Sequence, residues 1–466
     1  MKYVVYGLGI SGIATARFLA KNSESVTVTD DNIVGIENAK ITLSDLADHI
    51  EFKSPDAINY DSNTIISFAP GIPLYYPKAH PILEISQKTG ATISCDMELF
   101  YNRNKKNNYI GITGTNGKST VSSLINFTFQ QLGINCALGG NIGVPCFELA
   151  FKNDNSSDNT CIFETSSYQL DLSNDLHFDI SALINITPDH IDRHGSFDNY
   201  IESKKRIFQN QTAEDFALIG VDNDVSKQVF DLLTNDPSFT AKLIPISTQE
   251  IQPDGLSLID AQLINNINNA CSTLTLDSQF LPGHHNMQNI AFAYAATYCH
   301  LIKQKLPIDE NVIATAIKGF KGLRHRMQTV GVIDNINFIN DSKATNAEST
   351  KNALKTYDNL FWILGGVEKE GGIETLTPYF KKIHKAYLIG EASDSFAQIL
   401  AKNSVKFEKC DNLEKATKKA FFDAKNVSLS KYNILLSPAC SSFDQWKNFE
   451  QRGDYFCKVF NELQKL

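Results

Sequence analysis

The sequence predicts an α/β protein of three domains, each built on a mostly parallel sheet. The chain has 466 residues, and a length of about 150 residues per domain favours three domains. Short apolar runs alternate with stretches of helical periodicity along the chain. Many of these runs end in glycine, polar or charged residues, as strands of open parallel sheets do. We expect a Rossmann-like domain over 1–97, a central P-loop ATPase-like domain over 98–321 and a second Rossmann-like domain over 322–466.

The first domain begins with a predicted strand, a glycine turn and a helix. The apolar run KYVVYGLG leads into Gly7, Gly9 and Gly12, which have the spacing G-x-G-x-x-G, and a second strand, SVTVTD, ends at Asp30. This pattern is typical of a dinucleotide-binding βαβ unit, although alone it is a weak indication of NAD. A third strand, NTIISF, runs into the proline- and glycine-containing loop APGIP.

The central domain begins with the stretch GITGTNGKST, which lies between a predicted strand and a predicted helix. It ends as a phosphate-binding P-loop does, with Gly117, Lys118 and Ser119, but Ile112 stands where the usual spacing has glycine. In such a loop, backbone N–H groups bind phosphate oxygens, the lysine adds positive charge and the next hydroxyl ligates Mg2+. The flanking strand and helix favour a nucleotide site over a chance glycine-rich turn.

Two further predicted strands of this domain end in side chains that suit a metal site. TCIFE ends at Glu164, and ISALINITPDH ends at His190. Mg2+ prefers oxygen ligands, so we expect Glu164 to bind it, whereas the chemistry of His190 is equally consistent with a hydrogen-bonding role. Lys204 follows in YIESKKRIF. An ammonium group near Mg2+ would be repelled, and a Lys-Lys-Arg run is commonly a solvated helix face.

The third domain is predicted from the strands FWILGG, KAYLIG and YNILLSPA, interleaved with helical stretches such as EKATKKAFFDAK.

The composition of the chain restricts the classes of function that it can have. A formal net charge of -9 argues against a general nucleic-acid binder, and the absence of an apolar run of about 18 residues argues against a membrane span. The nine cysteines form no C-x-x-C pair, which favours reduced thiols and a cytoplasmic protein. We expect a monomer.

A set of motifs in this chain resembles those of the Mur ligase family. They are, in chain order, GTNGKST, NIGVP, ETSSYQL, NITPDHIDRHGS, YIESKKRIF, LPGHHNMQN, GLRHRM, NDSKATN, LGG and LLSPACSSFDQWKNFEQRG. The resemblance extends over essentially the whole chain. NDSKATN and the last motif are the most specific of the set, and they resemble the members that add D-glutamate.

The resemblance implies a cytoplasmic ligase of peptidoglycan synthesis with three small-molecule substrates. These would be ATP, D-glutamate and UDP-N-acetylmuramoyl-L-alanine, joined through an acyl phosphate with release of ADP and phosphate. It implies two Mg2+ ions, and it implies that the N-terminal glycine fingerprint holds the UDP part of the substrate instead of NAD.

The resemblance also implies a role for each candidate residue. Metal ligation is implied for Ser119, Glu164, His190 and Lys204, the last carbamylated by CO2 in its setting with Tyr200. ATP binding is implied for Gly114, Thr115, Asn116, Gly117, Lys118, Ser119, Thr120, Asn286, Asn289, Arg326 and Asp341. Binding of the UDP-linked substrate is implied for Ile10, Ser11, Asp30, Pro70, Gly71, Asn141 and His190. D-glutamate binding is implied for Thr345, Lys369, Ser442 and Phe449. A part in catalysis is implied for Lys118, Asn141, His190, Lys204 and Lys343.

Two alternatives remain open. Another amide ligase, such as a folylpolyglutamate synthase, would lack the UDP-binding domain, for which this chain has about 95 residues before its P-loop. A nicotinamide-dependent oxidoreductase is suggested by Gly7, Gly9 and Gly12, but it leaves the P-loop, Glu164 and NDSKATN unexplained.

Overall fold

The computed structural model describes residues 1–22, 24–151, 159–278, 280–368, 371–427 and 431–465. The described chain forms three sheets of five, nine and six strands, and most neighbouring strands are parallel. It divides into two compact units. The first unit is Met1–Asp277 with Met287–Phe320, and the second is Ser278–Asn286 with Lys321–Leu466. The predicted fold class is confirmed, whereas the domain boundaries after residues 97 and 321 stay predictions.

The N-terminal sheet has the strand order β3-β2-β1-β4-β5, and all its strands are parallel. Its strands are β1 (Lys2–Tyr6), β2 (Ser25–Thr29), β3 (Ile50–Phe52), β4 (Thr64–Phe68) and β5 (Thr92–Ser94). Its helices are α1 (Ile10–Lys21), α2 (Ile33–Thr42), α3 (Pro81–Thr89) and α4 (Asp96–Arg103). The strand order reverses between β1 and β4, and a crevice at such a point is where open α/β sheets bind ligands. A side chain on Gly12 would collide with the carbonyl oxygen of Gly7, so the close approach of α1 to the turn requires glycine there.

The central sheet has the order β14-β13-β12-β11-β10-β9-β6-β8-β7. Its strands are β6 (Asn108–Thr113), β7 (Cys136–Gly140), β8 (Thr160–Glu164), β9 (Ile180–Leu183), β10 (Phe216–Gly220), β11 (Lys242–Ser247), β12 (Leu256–Ile259), β13 (Gln262–Asn265) and β14 (Ser272–Thr275). Its helices are α5 (Lys118–Gln131), α6 (Ser167–Asp171), α7 (Ile191–His194), α8 (Phe197–Lys205), α9 (Asp224–Thr234), α10 (His284–Lys303) and α11 (Glu310–Lys318). The strands β12, β13 and β14 form an antiparallel extension that sequence reasoning did not find. The parallel strands β6 and β8 deliver the P-loop and Glu164 to the same edge of the sheet.

The C-terminal sheet has the order β15-β16-β20-β17-β18-β19, with β15 antiparallel to its neighbour. Its strands are β15 (Gln328–Ile333), β16 (Ile336–Asn340), β17 (Leu360–Gly365), β18 (Ile383–Ile389), β19 (Phe407–Lys409) and β20 (Tyr432–Leu436). Its helices are α12 (Ala347–Thr356), α13 (Ser393–Lys402), α14 (Leu413–Lys425) and α15 (Phe449–Leu463). Trp362 is fully buried in the middle of β17 and anchors the core on one face of this sheet.

Over the described ranges, no helix combines the length and apolar character that crossing a bilayer would need. All nine cysteines are free thiols.

Candidate active site

The P-loop connects β6 to α5 with a backbone that two glycines make possible. Gly114 has φ = 151° and Gly117 has φ = 92°, both in the region that favours glycine. A side chain on Gly117 would also collide with the side-chain oxygen of Asn289. Gly117 is the N-cap of α5 and offers no side-chain cap, so the first N–H groups of the helix face the loop. This is the arrangement that binds phosphate at a helix N-terminus.

The Lys118 side chain folds back over the loop that precedes it. Its Nζ donates hydrogen bonds to the carbonyl oxygens of Gly114 (2.8 Å) and Thr115 (3.0 Å). Ser119 is buried and Thr120 is half-buried in the first turn of α5. The predicted lysine and hydroxyl therefore lie at the start of this helix.

Asn185, which sequence reasoning did not single out, holds the loop from the side of β9. Its carbonyl oxygen accepts a 2.9 Å hydrogen bond from the backbone N–H of Thr115. Its side-chain Oδ1 accepts another from the N–H of Asn116, also at 2.9 Å. Thr115 additionally donates from Oγ1 to the Thr187 carbonyl at 3.1 Å. The motif NITPDH therefore fixes the P-loop as well as supplying His190.

Glu164 presents a buried carboxylate beside the P-loop strand. Its side chain is 2% exposed, and Oε1 accepts a 2.8 Å hydrogen bond from Nδ2 of Asn141. Oε2 is buried and has no hydrogen-bond partner within the described part of the chain. A buried carboxylate oxygen without a donor is unfavourable, and a hard cation would satisfy it. The residues present therefore fit the Mg2+ ion that the sequence predicts.

Lys204 is buried, with 1% of its surface exposed, although it lies on a surface-like Lys-Lys-Arg run. Its Nζ donates to the carbonyl of Gly114 at 3.0 Å and lies 4.6 Å from the ring centroid of Tyr200. Burial lowers its pKa well below 10.5, and repulsion from Lys118 lowers it further. Lys205 is instead paired with Glu202 at 2.8 Å. The interpretation of Lys204 as part of a solvated face is wrong.

His190 lies at the end of the β9 loop, in the left-handed region with φ = 53°. Partial burial lowers its pKa, and repulsion from Lys118 and Lys204 lowers it further. The attraction of Asp189 acts in the opposite direction and raises it. The imidazole is therefore neutral at neutral pH, the form that ligates metals. Nowhere in the described ranges do three His, Cys, Asp or Glu side chains gather into a ready metal centre. A metal here would also need ligands from the Ser119 hydroxyl, from a carbamylated Lys204 and from the phosphate oxygens of a nucleotide.

Two residues of the same motif form contacts that were not anticipated. His194 is 4% exposed, and its Nε2 lies 2.9 Å from the hydroxyl oxygen of Ser167. Burial lowers the pKa of His194 to about 4. The guanidinium of Arg193 donates to the carbonyl oxygens of Pro70 and Gly71, both at 3.2 Å.

The residues predicted to bind the UDP-linked substrate are in the first unit. Ile10 and Ser11 form the first turn of α1, and Ile10 is 81% exposed. The Asp30 carboxylate accepts backbone hydrogen bonds from Leu8 (2.8 Å) and Asn32 (2.9 Å), so it also fixes the glycine turn. The remaining members of the set lie in loops after strands of this unit and are Pro70, Gly71, Asn141 and His190.

Asp341 and Asn286 of the predicted nucleotide set lie in the second unit. Asp341 is buried, and its oxygens accept hydrogen bonds from the Ser437 hydroxyl (2.7 Å) and the Met327 N–H (3.1 Å). Burial raises its pKa to about 7. The positive charge of Arg326 acts in the opposite direction. Asn286 donates from Nδ2 to the Pro282 carbonyl at 2.8 Å.

The second unit also brings two loops of the predicted glutamate site together. The Nζ of Lys343 lies 4.0 Å from the ring centroid of Phe449, the first residue of α15. Ser442 is buried, and Thr345 lies half-buried in the loop before α12. Lys369 lies outside the described residues.

The fold and the first-unit site define a class of protein. A P-loop at the edge of a parallel sheet, with a buried carboxylate and a buried lysine around it, is the site of a P-loop nucleotide-binding enzyme.

Comparison with known proteins then identifies the family. Residues 112–297 match the Mur ligase middle domain, and residues 325–439 match the Mur ligase glutamate ligase domain. The chain is 39% identical to a UDP-N-acetylmuramoylalanine–D-glutamate ligase of Rickettsia prowazekii (strain Madrid E), over 98% of this chain and 97% of that one. It is 36% identical to the protein of the same name from Wolbachia pipientis wMel, over 98% and 96%. Its fold resembles the crystal structure of a UDP-N-acetylmuramate-alanine ligase from Thermotoga maritima, with a TM-score of 0.56, 15% identity and coverage of 99% and 100%.

The chain therefore belongs to the Mur ligase family, and it is an ATP-dependent ligase.

Proposed function

We propose that this ligase joins D-glutamate to the L-alanyl carboxylate of UDP-N-acetylmuramoyl-L-alanine in peptidoglycan synthesis, with hydrolysis of ATP to ADP and phosphate. The observation that carries the proposal is the likeness, along nearly its full length, to relatives that bear this substrate pair in their names. The motif NDSKATN and the segment that ends in Arg452 and Gly453 support the glutamate-adding reaction in particular.

The reaction has two balanced steps. The acceptor carboxylate attacks the γ-phosphorus of ATP, the bond to the β,γ-bridging oxygen breaks, and an acyl phosphate and ADP result. The amine of D-glutamate then attacks the acyl carbon, loses a proton and expels inorganic phosphate to leave an amide. Carboxylate and triphosphate repel each other, so the first step needs concentrated positive charge. Lys118 and the N-terminus of α5 supply part of that charge from this chain.

The metal-binding part of the proposal rests on Ser119, Glu164, His190 and Lys204. Two Mg2+ ions held there would neutralise charge on the transferring phosphoryl group. The orphaned Oε2 of Glu164 and the neutral imidazole of His190 suit such ligation. Lys204 would take part as a carbamate, formed when its neutral Nζ attacks CO2 and loses one proton. Its lowered pKa favours the neutral amine that this step requires.

Asn141, whose side chain donates to the carboxylate of Glu164 and so lies beside the metal-binding residues, is proposed to contact the acceptor. Ile10, Ser11, Asp30, Pro70 and Gly71 are proposed to bind the UDP part of that acceptor. Asn286, Asn289, Arg326 and Asp341 are proposed to bind the nucleotide.

For the incoming amino acid we propose Thr345, Lys369, Ser442 and Phe449. Two carboxylates on glutamate need several donors, and charge-assisted hydrogen bonds are the strongest of these. The Lys343 ammonium, which lies against Phe449, would face the reacting groups. We further propose a monomer that acts in the cytoplasm.

The test is a phosphate-release assay with ATP, Mg2+, UDP-N-acetylmuramoyl-L-alanine and a panel of amino acids in both chiralities. We expect phosphate release only when acceptor and D-glutamate are both present, with one amide formed per phosphate. Release that depends on a folate acceptor would favour the other amide ligase. A change in NAD(P)H absorbance without phosphate release would favour the oxidoreductase.

A further inference from the structure

Residues 190–195, which follow β9, pack against the loop that follows β4. Arg193 donates two hydrogen bonds of 3.2 Å across this contact, from Nη1 to the Gly71 carbonyl and from Nη2 to the Pro70 carbonyl. Gly195 lies against Tyr76, because a side chain on this glycine would come within 2.6 Å of the tyrosine ring. The two segments therefore touch at the C-terminal end of α7.

The Tyr168 ring also contacts the segment 190–195. The Arg193 guanidinium lies 4.3 Å from the ring centroid of Tyr168. The ring of His194 stacks on that of Tyr168 at 5.3 Å, and the ring of His190 meets it edge-on at 5.3 Å. One aromatic ring thus contacts three residues of a six-residue segment, so a shift of Arg193 is transmitted to its neighbours.

His190 depends on this support. Its φ of 53° is unfavourable for a residue with a side chain, and such a conformation persists only when the surroundings hold it. His190 is the N-cap of α7, a helix of four residues, and it makes no side-chain cap. Its N–H donates to Oδ1 of Asp189 (3.0 Å), and its carbonyl oxygen accepts from the N–H groups of Arg193 (3.0 Å) and His194 (3.2 Å). The positions of Arg193 and His194 therefore help to fix the backbone that carries the His190 imidazole.

We propose that Arg193 is a positioning residue that couples binding of the UDP-linked substrate to metal binding at His190. The inference rests on the proposed function, which assigns Pro70 and Gly71 to that substrate and His190 to the metal. When the substrate orders the loop after β4, Arg193 carries the change to α7 and to His190. Coupling of this kind is reciprocal, so the metal also strengthens binding of the substrate.

An arginine suits this role better than a lysine. The planar guanidinium stacks on Tyr168 while its fixed fork of N–H groups reaches two successive carbonyls. A lysine retains the charge, but its single nitrogen cannot stack as a plane and reach both carbonyl oxygens in this fixed geometry. We therefore expect Arg193→Lys to keep only part of the coupling and Arg193→Met to keep none.

The experiment measures metal affinity without turnover. Mn2+ is titrated into the full-length protein with ADP present, and bound metal is followed by electron paramagnetic resonance with and without UDP-N-acetylmuramoyl-L-alanine. In the unmodified protein we expect the acceptor to raise Mn2+ affinity by about fivefold or more. In Arg193→Met we expect a ratio near one, together with a lower Mn2+ affinity in the absence of acceptor, because His190 loses part of its support. Arg17→Met is the matched control, because Arg17 also donates to a backbone carbonyl but lies in α1, and it should keep the full ratio.

Retention of the full ratio in Arg193→Met would overturn the inference, and so would a ratio of one in an unmodified protein that binds both ligands and forms the amide. An unmodified protein that does not bind the acceptor would refute the proposed function itself. If Arg193→Met does not fold, Arg193→Lys gives the test in a milder form, because it keeps the charge and should keep only part of the ratio. A full ratio in that folded variant would equally overturn the inference.

Discussion

Nζ of Lys204 donates a 3.0 Å hydrogen bond to the carbonyl oxygen of Gly114, so a buried amine lies directly against the P-loop. A second lysine, Lys118, donates to the same carbonyl at 2.8 Å. Two like charges that share one acceptor repel each other, and this repulsion adds to burial in lowering the pKa of Lys204. The lowered pKa favours the neutral amine, which is the form that attacks CO2.

The first prediction concerns the carbamate. Lys204→Ala should lose most activity, and added short-chain carboxylic acids should restore part of it by placing a carboxylate in the vacated space. The measurement is acceptor-dependent phosphate release with and without the acids. Lys205→Ala is the control, because this neighbour is paired with Glu202 at the surface, and it should keep nearly full activity without rescue. Full activity of Lys204→Ala without added acid would refute the carbamate.

The second prediction concerns stability and its pH dependence. Because the pKa of Lys204 is lowered in the folded state, the unfolded chain binds the extra proton between that pKa and the ordinary value of 10.5. The contribution of this group to stability therefore rises with pH across that window. Lys204→Met, which removes the titration, should melt at or above the unmodified protein at pH 7 in CO2-free buffer. The difference in Tm should shrink towards pH 9.5, and a difference that is independent of pH would contradict the lowered pKa.

The third prediction tests the P-loop. Lys118→Ala should lower kcat/KM for acceptor-dependent phosphate release by about 100-fold or more, because a preorganised charge at the transferring phosphate is lost. Lys227→Ala is a matched control, since that lysine is exposed and pairs with Asp231 along its own helix. Near-normal turnover of Lys118→Ala would remove the loop from the mechanism.

The fourth prediction uses the orphaned oxygen of Glu164. Glu164→Gln keeps the shape and the acceptor for Asn141 but removes the buried negative charge. We expect Mn2+ binding in the presence of ADP to weaken by about tenfold or more, because a hard cation loses an anionic ligand. The Tm of the metal-free protein should stay equal or rise, since no unpaired buried charge remains. Unchanged metal affinity would place the ion elsewhere.

The P-loop was predictable because its signal is local. Two glycines, a lysine and a flanking strand and helix lie within one short stretch. The two glycines indicated a loop with positive φ, and Gly114 and Gly117 both have positive φ. No local sequence signal distinguishes Lys204 from Lys205. The two residues are adjacent, and only the packing of α8 buries Lys204 fully and leaves Lys205 partly exposed.

Other features were missed because their partners are distant along the chain. Arg193 contacts Gly71, which lies 122 positions away, and His194 contacts Ser167, which lies 27 positions away. Neither residue has a local pattern that separates it from surface charge. The strands β12 to β14 were missed because they are only four residues each, and β13 and β14 are partly exposed to solvent.

A cluster in the first unit, away from the P-loop, permits a prediction about acid stability. The Asp215 side chain is 1% exposed and accepts hydrogen bonds from His177 (2.8 Å) and from the N–H of Thr212 (2.6 Å), and it also pairs with Lys303. Burial alone would raise the pKa of Asp215. The hydrogen bonds from His177, Lys303 and Thr212 outweigh burial and lower it.

The fifth prediction follows from this lowered pKa. The stabilisation is fully present above the ordinary carboxyl pKa of about 3.9 and is lost as pH falls through the lower folded value. Asp215→Asn should therefore lower the stability at pH 7 by about 2 kcal/mol, because charge-assisted hydrogen bonds from His177 and Lys303 are lost while Lys303 keeps its pair with Asp179. Below pH 4 its Tm should fall less steeply with acid than that of the unmodified protein. Asp231→Asn, at an exposed pair, should shift neither the Tm at pH 7 nor the acid slope. Equal acid slopes in Asp215→Asn and the unmodified protein would show that this carboxylate does not carry the acid sensitivity.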